Sequence, residues 1–327
     1  MIPERLDGFV DPATGAPLRL EHPHLVGGHV ESGTLLAADG ARFPIAAFVP
    51  RFVPQDNYAK NFGLQWQLHQ RTQLDSHTGT DYSRRRLFAT TGWPADLTGQ
   101  RVLEAGSGAG RFTEVLATTG ADIVSFDYSE ATVANYQTNG QNRNVTIFQG
   151  DIYRIPFPPR SFDKVICLGV LQHTPDVERS FRSLADMVRP GGQLVVDVYP
   201  RRLRAMLHWK YALRPLATRL APDTLYRVVS WYAPKLMPVA KLARRLAGRA
   251  GHRLIPILDQ SDKDVSPELQ RDWTILDTYD ALSPRYDQPQ TAATLRDWFE
   301  AAGFVDVEVA ADVPDTGGLF GRGRRPA

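Results

Sequence analysis

From Arg101 onward, short apolar runs alternate with longer amphipathic stretches. The apolar runs include VLEA, DIVSFD, VTIFQ and QLVVDVY, whereas the stretches between them, such as RFTEVLATTG and DVERSFRSLADMV, have helical spacing. Strands that alternate with helices are typical of βαβ units, and right-handed crossovers then give a parallel sheet with helices on both faces. The pattern therefore predicts an α/β fold with a doubly wound sheet, its core lying in residues 99–200.

The regions outside this core have different patterns. Residues 1–55 are rich in Gly, Pro and His and predict a small module of turns and short β-strands. Residues 56–98 predict one or two helices, forming a cap or linker, and then a turn at Gly92-Trp93-Pro94. Residues 201–270 predict a basic, Leu-rich helical insertion. The alternation resumes in residues 271–327, with a helix at 291–302, a strand at 304–309 and a last strand near 317–321.

Composition narrows the class of protein. The chain has 327 residues, 43% of them hydrophobic, and a formal net charge of +2. No apolar run approaches the roughly 18 residues of a membrane-spanning helix, and the N-terminus lacks the apolar region of a secretory signal. The single cysteine, Cys167, excludes an internal disulfide or a cysteine-based zinc site, and its apolar strand predicts a core residue. We expect a cytoplasmic protein, with peripheral membrane contact as an open alternative.

The positive charge is concentrated in one segment. Residues 201–253 contain 13 Lys or Arg and one acid, Asp223, interleaved with aromatic residues such as Trp209 and Trp231. Three interpretations stay open: a lid over an anionic small molecule, a helix pair on an anionic membrane that presents a lipid-linked acceptor, or a solvated or dimer-forming face. Because the rest of the chain is acidic, a nucleic acid partner is not expected.

The segment VLEAGSGAGRF, from Val102 to Phe112, holds the most informative motif. A strand ends at Glu104, and the glycines that follow let the backbone turn sharply and approach a ligand. Asp127 ends the next strand, where an acid can accept hydrogen bonds from both hydroxyls of a ribose. Glu104 or Asp127 alone could be an ordinary helix cap, but their positions at successive strand ends favour the binding of one ligand by both. The G-x-G-x-G spacing also differs from the G-x-G-x-x-G of nicotinamide enzymes.

With these motifs, the chain resembles the class I S-adenosylmethionine-dependent methyltransferases, in their small-molecule branch. The resemblance implies a seven-stranded sheet of order 3-2-1-4-5-7-6, with S-adenosylmethionine as cofactor and S-adenosylhomocysteine as product. It places the RPGGQL segment in the turn before the fifth strand of that sheet. By position, it implies that the cofactor is bound by Glu104, Gly106, Ser107, Gly108, Gly110, Asp127, Tyr128, Ser129, Asp151, Ile152, Leu168 and Gly169.

Residues 6–53 resemble the zinc-ribbon-like domain of the Trm112 type that precedes some of these enzymes. The segments VDPATGAPL and FPIAAFVPRF match its ends, but Asp11 stands where the first cysteine is expected. His22, His24 and His29 lack a fourth ligand, which a structural zinc site needs. We therefore predict a degenerate, metal-free module.

The segment from Tyr58 to Ser76 resembles one that precedes the core in sugar- and natural-product-associated methyltransferases. Gln65, Trp66 and Gln73 are candidates to cap the cofactor or substrate cleft, although the apolar residues here also fit an ordinary buried face. The Arg84–Arg86 run is expected to be a solvated face, or otherwise an anion contact.

Methyl transfer requires that the acceptor be positioned and, where needed, deprotonated. His173, after the fourth strand of the sheet, is the candidate general base, and Tyr199 is a weaker candidate. His173 could instead orient the loop. Gln172, Tyr279, Asp280 and Tyr286 are candidates to contact the acceptor. The sequence thus predicts a methyltransferase acting on an anionic or lipid-linked small molecule; the alternative is a non-catalytic cofactor-binding scaffold.

Overall fold

The computed structural model describes residues 1–54, 59–202, 208–252 and 255–327. Some residues of the predicted segments lie outside these ranges. They include Tyr58, at the start of the predicted cap segment, and Arg204 and Arg253 of the basic segment.

The N-terminal module is a four-stranded antiparallel sheet of order β1-β2-β3-β4. Its strands are Arg19–Val26 (β1), His29–Leu36 (β2), Arg42–Ala46 (β3) and Val49–Pro50 (β4). Arg5, in a 3-10 turn before β1, pairs with Asp122 of the main sheet and donates a 2.6 Å hydrogen bond to Thr146. Phe9 packs against Phe148 of that sheet. The small β module is confirmed, and it shares one hydrophobic core with the main sheet.

Asp11 organises the turn where the zinc-ribbon pattern has a cysteine. Its carboxylate accepts hydrogen bonds from the backbone N–H groups of Ala13, at 2.6 Å, and Thr14, at 3.2 Å. An aspartate can stabilise a tight turn in this way without a metal. Among the described residues, no group of three His, Cys, Asp or Glu side chains is placed to hold a metal ion. The relation to the Trm112 type stays a prediction.

The main sheet has seven strands. They are Arg101–Ala105 (β5), Asp122–Asp127 (β6), Val145–Gln149 (β7), Phe162–Cys167 (β8), Val188–Val198 (β9), Val305–Ala311 (β10) and Leu319–Arg324 (β11). Their order is β10-β11-β9-β8-β5-β6-β7, with β5 to β9 parallel and β11 antiparallel to both of its neighbours. Counted from β5 as strand 1, this is the order 3-2-1-4-5-7-6, so the predicted topology is confirmed.

The helices around this sheet agree with the alternation seen in the sequence. They are Arg111–Ala117 (α4), Ala131–Asn139 (α5), Val177–Met187 (α6) and Ala292–Ala301 (α10). Helix α4 contacts α5, whereas α6 contacts α10. The central strands β5 and β8 are buried almost throughout, as expected for a parallel sheet covered on both faces.

The RPGG segment differs from its prediction. It lies inside β9, which begins at Val188, rather than in a turn before the strand. The pairing of β9 with β8 shifts between Phe162, opposite Val188, and Lys164, opposite Gln193. Gly191 there has a φ of 75°, so the extra residues form an irregularity within the strand rather than end it.

The cap segment contains three helices rather than one or two: Lys60–Leu68 (α1), Asp75–Thr78 (α2) and Tyr82–Thr91 (α3). Gly92, with a φ of 65°, ends α3 in the left-handed conformation, at the predicted turn. Helix α1 contacts α5 of the main domain. The cap therefore packs directly beside the carboxyl ends of the strands.

The basic insertion is helical, as predicted, and we call it the lid. Its helices are Trp209–Ala217 (α7), Pro222–His252 (α8) and Pro267–Leu282 (α9). Leu225, Val229 and Ala240 of α8 share a separate hydrophobic core with Ile275 and Leu282 of α9. Helix α9 crosses the boundary predicted between residues 270 and 271, so the lid continues to Leu282. In the part of the chain that the structure describes, every helix is too short or too polar to cross a bilayer.

Candidate active site

A cavity of about 480 Å³ lies at the carboxyl ends of the parallel strands, under α1 and the lid. This edge of a doubly wound sheet is where loops converge and ligands bind. One side of the cavity is formed by loops after β5, β6, β7 and β8, and the other by residues of the cap and lid together with Arg111 at the start of α4. We call these the cofactor side and the lid side.

The glycine loop after β5 borders the cofactor side through Gly106, Ser107 and Gly108. Gly106 has a φ of 77°, and a Cβ there would overlap Val170. A Cβ on Gly108 would lie 3.0 Å from the indole of Trp66, which packs over the loop. A side chain at either position would therefore be strained by the backbone and crowded by its neighbours.

Gly110 has a structural position instead. It precedes α4 with a φ of 93°, and a Cβ there would overlap Asn135. Its carbonyl accepts a 3.2 Å hydrogen bond from Asn139. The structure thus places the third glycine away from the cavity, where it lets α4 and α5 pack closely.

Asp127 borders the cavity at the end of β6. Its Oδ2 accepts a 2.9 Å hydrogen bond from the N–H of Gly108, and its Oδ1 accepts bonds from the N–H and hydroxyl of Ser129. Burial raises the pKa of Asp127, while these hydrogen bonds lower it. Ser129 is therefore a positioning residue for the carboxylate and does not border the cavity itself.

Beyond Asp127, the cavity wall is largely apolar. Tyr128, Gly150, Ile152 and Leu168 border it, together with the backbone of the Gly169 turn. Asp151 does not border the cavity: its carboxylate accepts a 2.9 Å hydrogen bond from the N–H of Tyr153. Of the predicted adenine-contacting pair, the structure brings Ile152 to the cavity and turns Asp151 into the loop.

Glu104 lies behind the glycine loop rather than in the cavity. Its Oε2 accepts hydrogen bonds from the hydroxyls of Thr113, at 2.5 Å, and Ser125, at 2.8 Å. Burial raises the pKa of Glu104 to about 7, although these hydrogen bonds oppose the shift. The side chain of Glu104 therefore does not border the cavity, and the predicted contact with the cofactor is not direct.

Gln65 and Trp66 both border the cavity from α1, as predicted for a cap. The Nε2 of Gln65 donates a 3.2 Å hydrogen bond to Asp280 of α9. Helix α1 thus joins the two sides, since Trp66 covers the glycine loop and Gln65 holds the lid.

His173 borders the cavity at the end of a 3-10 turn after β8. Its Nδ1 lies 2.9 Å from the carbonyl oxygen of Tyr286 and must donate to it, because a carbonyl only accepts. The Nε2 of the neutral ring then carries the lone pair, and it has no hydrogen-bond partner among the described residues. Burial lowers the pKa of His173, so the ring is neutral at neutral pH.

Tyr199 follows β9 and packs edge-on against His173, with ring centroids 5.4 Å apart. Burial raises its pKa well above the ordinary value, so its hydroxyl stays protonated. Gln172, although next to His173 in sequence, is fully buried and does not border the cavity. The structure thus places His173 and Tyr199 together at the cavity and buries Gln172 away from it.

Two of the residues predicted to contact the acceptor do not border the cavity. Tyr279 is fully buried in the lid core and packs against Tyr226, facing away from the cavity. Tyr286 does not border the cavity, and its backbone carbonyl anchors His173. On α9 the cavity is bordered by Trp273, Asp277 and Asp280, because they lie on the helix face opposite to the lid core.

Asp277 is held by two amides. It accepts hydrogen bonds from Gln73, at 3.4 Å, and from Gln260, at 2.6 Å. Burial, and then the charge of Asp280, raise the pKa of Asp277 to about 7. At neutral pH the pair Asp277 and Asp280 therefore carries less than two full negative charges.

Three cations border the same side: Arg86, Arg111 and Lys263. Arg86 forms a 2.8 Å ion pair with buried Asp197, so the predicted anion contact of the Arg84–Arg86 run is a partner within the fold. Arg111 donates to Gln73 at 2.9 Å, and burial lowers its pKa to about 9. Lys263 lies 4.3 Å above Trp273 and 4.5 Å above Tyr82.

The donors and acceptors present fit S-adenosylmethionine. Four cavity-lining side chains have a buried polar atom that lacks a partner among the described residues: Oε1 of Gln65, Nε of Arg86, the hydroxyl of Ser107 and Nε2 of His173. Buried polar groups are rarely left unpaired, so a polar ligand is expected here. Asp127 can accept further bonds from a diol, and the apolar wall with Ile152 and Leu168 suits a flat heterocycle.

Comparison with known proteins gives the same assignment. Residues 103–196 match the sequence family described as a methyltransferase domain. Over residues 103–196, the chain is therefore similar to methyltransferase domains. A ubiquinone biosynthesis O-methyltransferase of Coxiella burnetii is 32% identical over 114 residues, covering 34% of this chain and 49% of that protein. The corresponding protein of Pseudomonas syringae is 34% identical over 116 residues, covering 35% and 50%.

The chain spans about half the length of the curated relatives it matches. Solved structures with similarity include human N-acetylserotonin methyltransferase with S-adenosylmethionine, at 16% identity and a TM-score of 0.47, covering 84% of this chain and 61% of that one. A Haemonchus contortus phosphoethanolamine N-methyltransferase has 14% identity and a TM-score of 0.49, covering 85% and 62%.

The methyltransferase domain contains the whole cofactor side and His173, but none of the lid. Sequence reasoning missed Arg111, Lys263 and the part that Asp277 has in the site. Arg111 directly follows the glycine motif, so its place at the start of α4 was a usable signal. Lys263 and Asp277 carry no motif, and only the packing of α9 on the cap brings them to the cavity.

Proposed function

We propose that this protein transfers a methyl group from S-adenosylmethionine to a hydroxyl group of a small-molecule acceptor. The observation that carries the proposal is the free Nε2 of His173 at the cavity wall, with Nδ1 anchored on the carbonyl of Tyr286. A neutral imidazole held in one tautomer is suited to act as a general base. The O-methyltransferase names of the matched relatives support an oxygen acceptor.

When bound, the cofactor supplies a methyl group on a positively charged sulfur, from which the methyl is readily displaced. Asp127 would hold the ribose hydroxyls, and the glycine loop with Trp66 would enclose the amino-acid end. His173 Nε2 would accept the proton of the acceptor hydroxyl while the new O–CH3 bond forms and the S–CH3 bond breaks. The carboxylate of Asp280 favours the protonated form of His173 and would stabilise it after the proton transfer.

The lid side supports an acceptor that carries negative charge or several oxygens. Arg111 and Lys263 border the cavity, and neither forms an ion pair with a carboxylate of the described residues, although the charge of Asp277 acts on both. Such cations favour an anionic group at the acceptor end, as in a nucleotide-linked sugar or an acidic natural product. A lipid-linked acceptor with an acidic headgroup would meet the same charges.

The function is tested with methyl-labelled S-adenosylmethionine and extract from the source organism. The label is followed into aqueous, organic and protein fractions with the wild-type protein, the His173→Ala variant and the control His77→Ala, an exposed histidine away from the cavity. We expect wild-type and control to label the same small molecule at equal rates, and His173→Ala to label it at least about 100-fold more slowly.

Label in the organic fraction identifies a lipid-linked acceptor, and label in the aqueous fraction a soluble one. A product in which NMR or fragmentation by mass spectrometry locates the methyl group on nitrogen or carbon would overturn the hydroxyl assignment. Cofactor binding without transfer to any fraction would favour the alternative, a non-catalytic scaffold.

A further inference from the structure

Helix α8 has an exposed apolar stripe on its outer face. The stripe consists of Val228, Trp231, Val239, Leu242 and Leu246, at successive spacings of three, eight, three and four residues that place them along one side of a helix. Trp231 is 67% exposed, Leu242 56% and Leu246 79%. A soluble helix normally places such residues against a core, so this face is without its expected cover.

The core-facing side of α8 is already occupied. Leu225, Val229, Ala233 and Ala240 are buried against α9 within the lid core. The outer stripe therefore cannot be covered by a small rotation of the helix, because that would expose the buried side. Helix α7, which precedes α8 in the chain, exposes Leu213 and Leu216 as well.

The charges beside the stripe have one sign. Arg227, Lys241 and Arg245 are exposed along one flank, and Lys235 lies within the stripe, with its Nζ 3.8 Å from the Trp231 ring centre. Among the described residues, none of these four has a carboxylate partner. Asp223 is the one acid between residues 208 and 252, at the first turn of α8.

We propose that the outer face of α8, from Val228 to Leu246, docks onto an anionic phospholipid membrane with the helix axis parallel to the surface. Amphipathic helices of this kind bury their apolar face at the headgroup boundary, and their cations contact acidic lipids. Tryptophan is favoured at this depth, because its ring is apolar and its N–H is polar. The charge complementarity favours lipid over a second copy of this chain, since two such faces would bring like charges together.

Docking here would orient the catalytic cavity. Helix α8 packs on α9, and the opposite face of α9 presents Asp277 and Asp280 to the cavity. The membrane would thus lie one helix layer from the lid side. This arrangement does not depend on the acceptor's identity, and it can be tested without turnover.

The test is flotation of the purified protein with vesicles of phosphatidylcholine alone and of phosphatidylcholine with one third phosphatidylglycerol, at low and high salt. The apolar variant is Trp231→Glu with Leu242→Glu. Its matched control is Leu25→Glu with Val26→Glu, which adds the same charges to exposed apolar residues of β1, where Leu25 is 51% exposed. A third variant, Lys235→Gln with Lys241→Gln and Arg245→Gln, removes the cations and keeps the apolar stripe.

We expect wild-type and control to float with the anionic vesicles, and much less so at high salt. The apolar variant should lose at least roughly tenfold in vesicle partition, and the charge variant roughly fivefold for each cation removed. Thermal unfolding of each variant shows whether it is folded. Absence of wild-type flotation, equal loss in the control, or a wild-type dimer that dissociates in the apolar variant would each overturn the proposal; the last would make the face a contact between copies.

Discussion

The cofactor side and the lid side of one cavity are built in different ways. On the cofactor side, each residue lies at or after the carboxyl end of a strand, in chain order: Gly106 after β5, Asp127 at the end of β6, Ile152 after β7 and His173 after β8. On the lid side, Gln73, Arg111, Lys263 and Asp277 come from segments far apart in the sequence. The first side is set by strand ends, and the second by how helices pack.

This difference separates two tasks. A cofactor shared by many enzymes is bound by a framework whose geometry is fixed by the parallel sheet. An acceptor is bound by a lid whose sequence can change without altering that framework, because loops and insertions tolerate variation. Changes on one side should therefore alter cofactor affinity, and changes on the other should alter acceptor use.

The largest expected effect comes from Asp127→Ala. This change removes the carboxylate that would accept from both ribose hydroxyls, and hydrogen bonds to a charged group contribute about 1.5–3 kcal/mol each. The dissociation constant for S-adenosylmethionine, measured by isothermal titration calorimetry, should rise roughly thousandfold. The control is Asp39→Ala, which also removes a turn-forming aspartate, at an exposed site. Equal affinity in Asp127→Ala and wild type would show that the cofactor lies elsewhere.

The next effect concerns His173, where the two sides meet. His173→Ala should lower kcat by at least about 100-fold and change the cofactor dissociation constant by less than about threefold. Because burial lowers the pKa of His173, the acidic limb of the wild-type kcat/KM profile should lie below about pH 6.5, with a plateau at neutral pH. A variant that keeps this limb would assign the proton transfer to another group. Tyr199→Phe should lower kcat less, since its hydroxyl stays protonated.

A smaller effect should come from Glu104, buried behind the cofactor loop. Its folded pKa of about 7 exceeds the ordinary value of 4.5, so between these pH values the unfolded chain loses a proton that the folded protein keeps. Stability therefore falls as pH rises, by roughly 2 kcal/mol between about pH 5 and pH 7. Urea unfolding of the cofactor-free protein should show this slope reduced in Glu104→Gln. Parallel slopes for the two proteins would place the proton on another group.

The smallest effect tests the lid side alone. Lys263→Met keeps the aliphatic stem over Tyr82 and Trp273 but removes the charge. The KM for an anionic acceptor should rise about tenfold, with cofactor affinity unchanged. Arg143→Met, on an exposed loop away from the cavity, is the control. If the cofactor dissociation constant rose instead, the lid side would also bind the cofactor, and the two sides would not have separate tasks.

Much of the cofactor side was predictable because local sequence determines it. The glycine spacing, the acid at the end of β6 and the histidine after β8 are each read within a few residues of a strand end. Prediction failed where two neighbouring residues point in different directions. Asp151 turns into its loop while Ile152 borders the cavity, and Gln172 is buried while His173 is not.

On the lid, the sequence predicted a basic helical insertion and placed Asp280 correctly in the cavity, but Tyr279 was the wrong residue of α9. Tyr279 is an aromatic residue that suits a pocket, yet it belongs to the lid core, and Asp277 borders the cavity instead. A helix offers several faces, and the amino-acid order does not say which of them meets the cap and which meets α8.

The sequence by itself predicted a parallel sheet with the glycine loop, Asp127 and His173 at one edge, because such a sheet brings the residues after its strands together. The strand order was implied by the family resemblance. The tertiary structure alone decided the free nitrogen of His173, set by the carbonyl of Tyr286, 113 residues away. It also decided the pairing of Asp277 with Gln73 and Gln260, and the uncovered stripe on α8. These features depend on helix rotation and long-range packing, which follow from the whole fold and from no single motif.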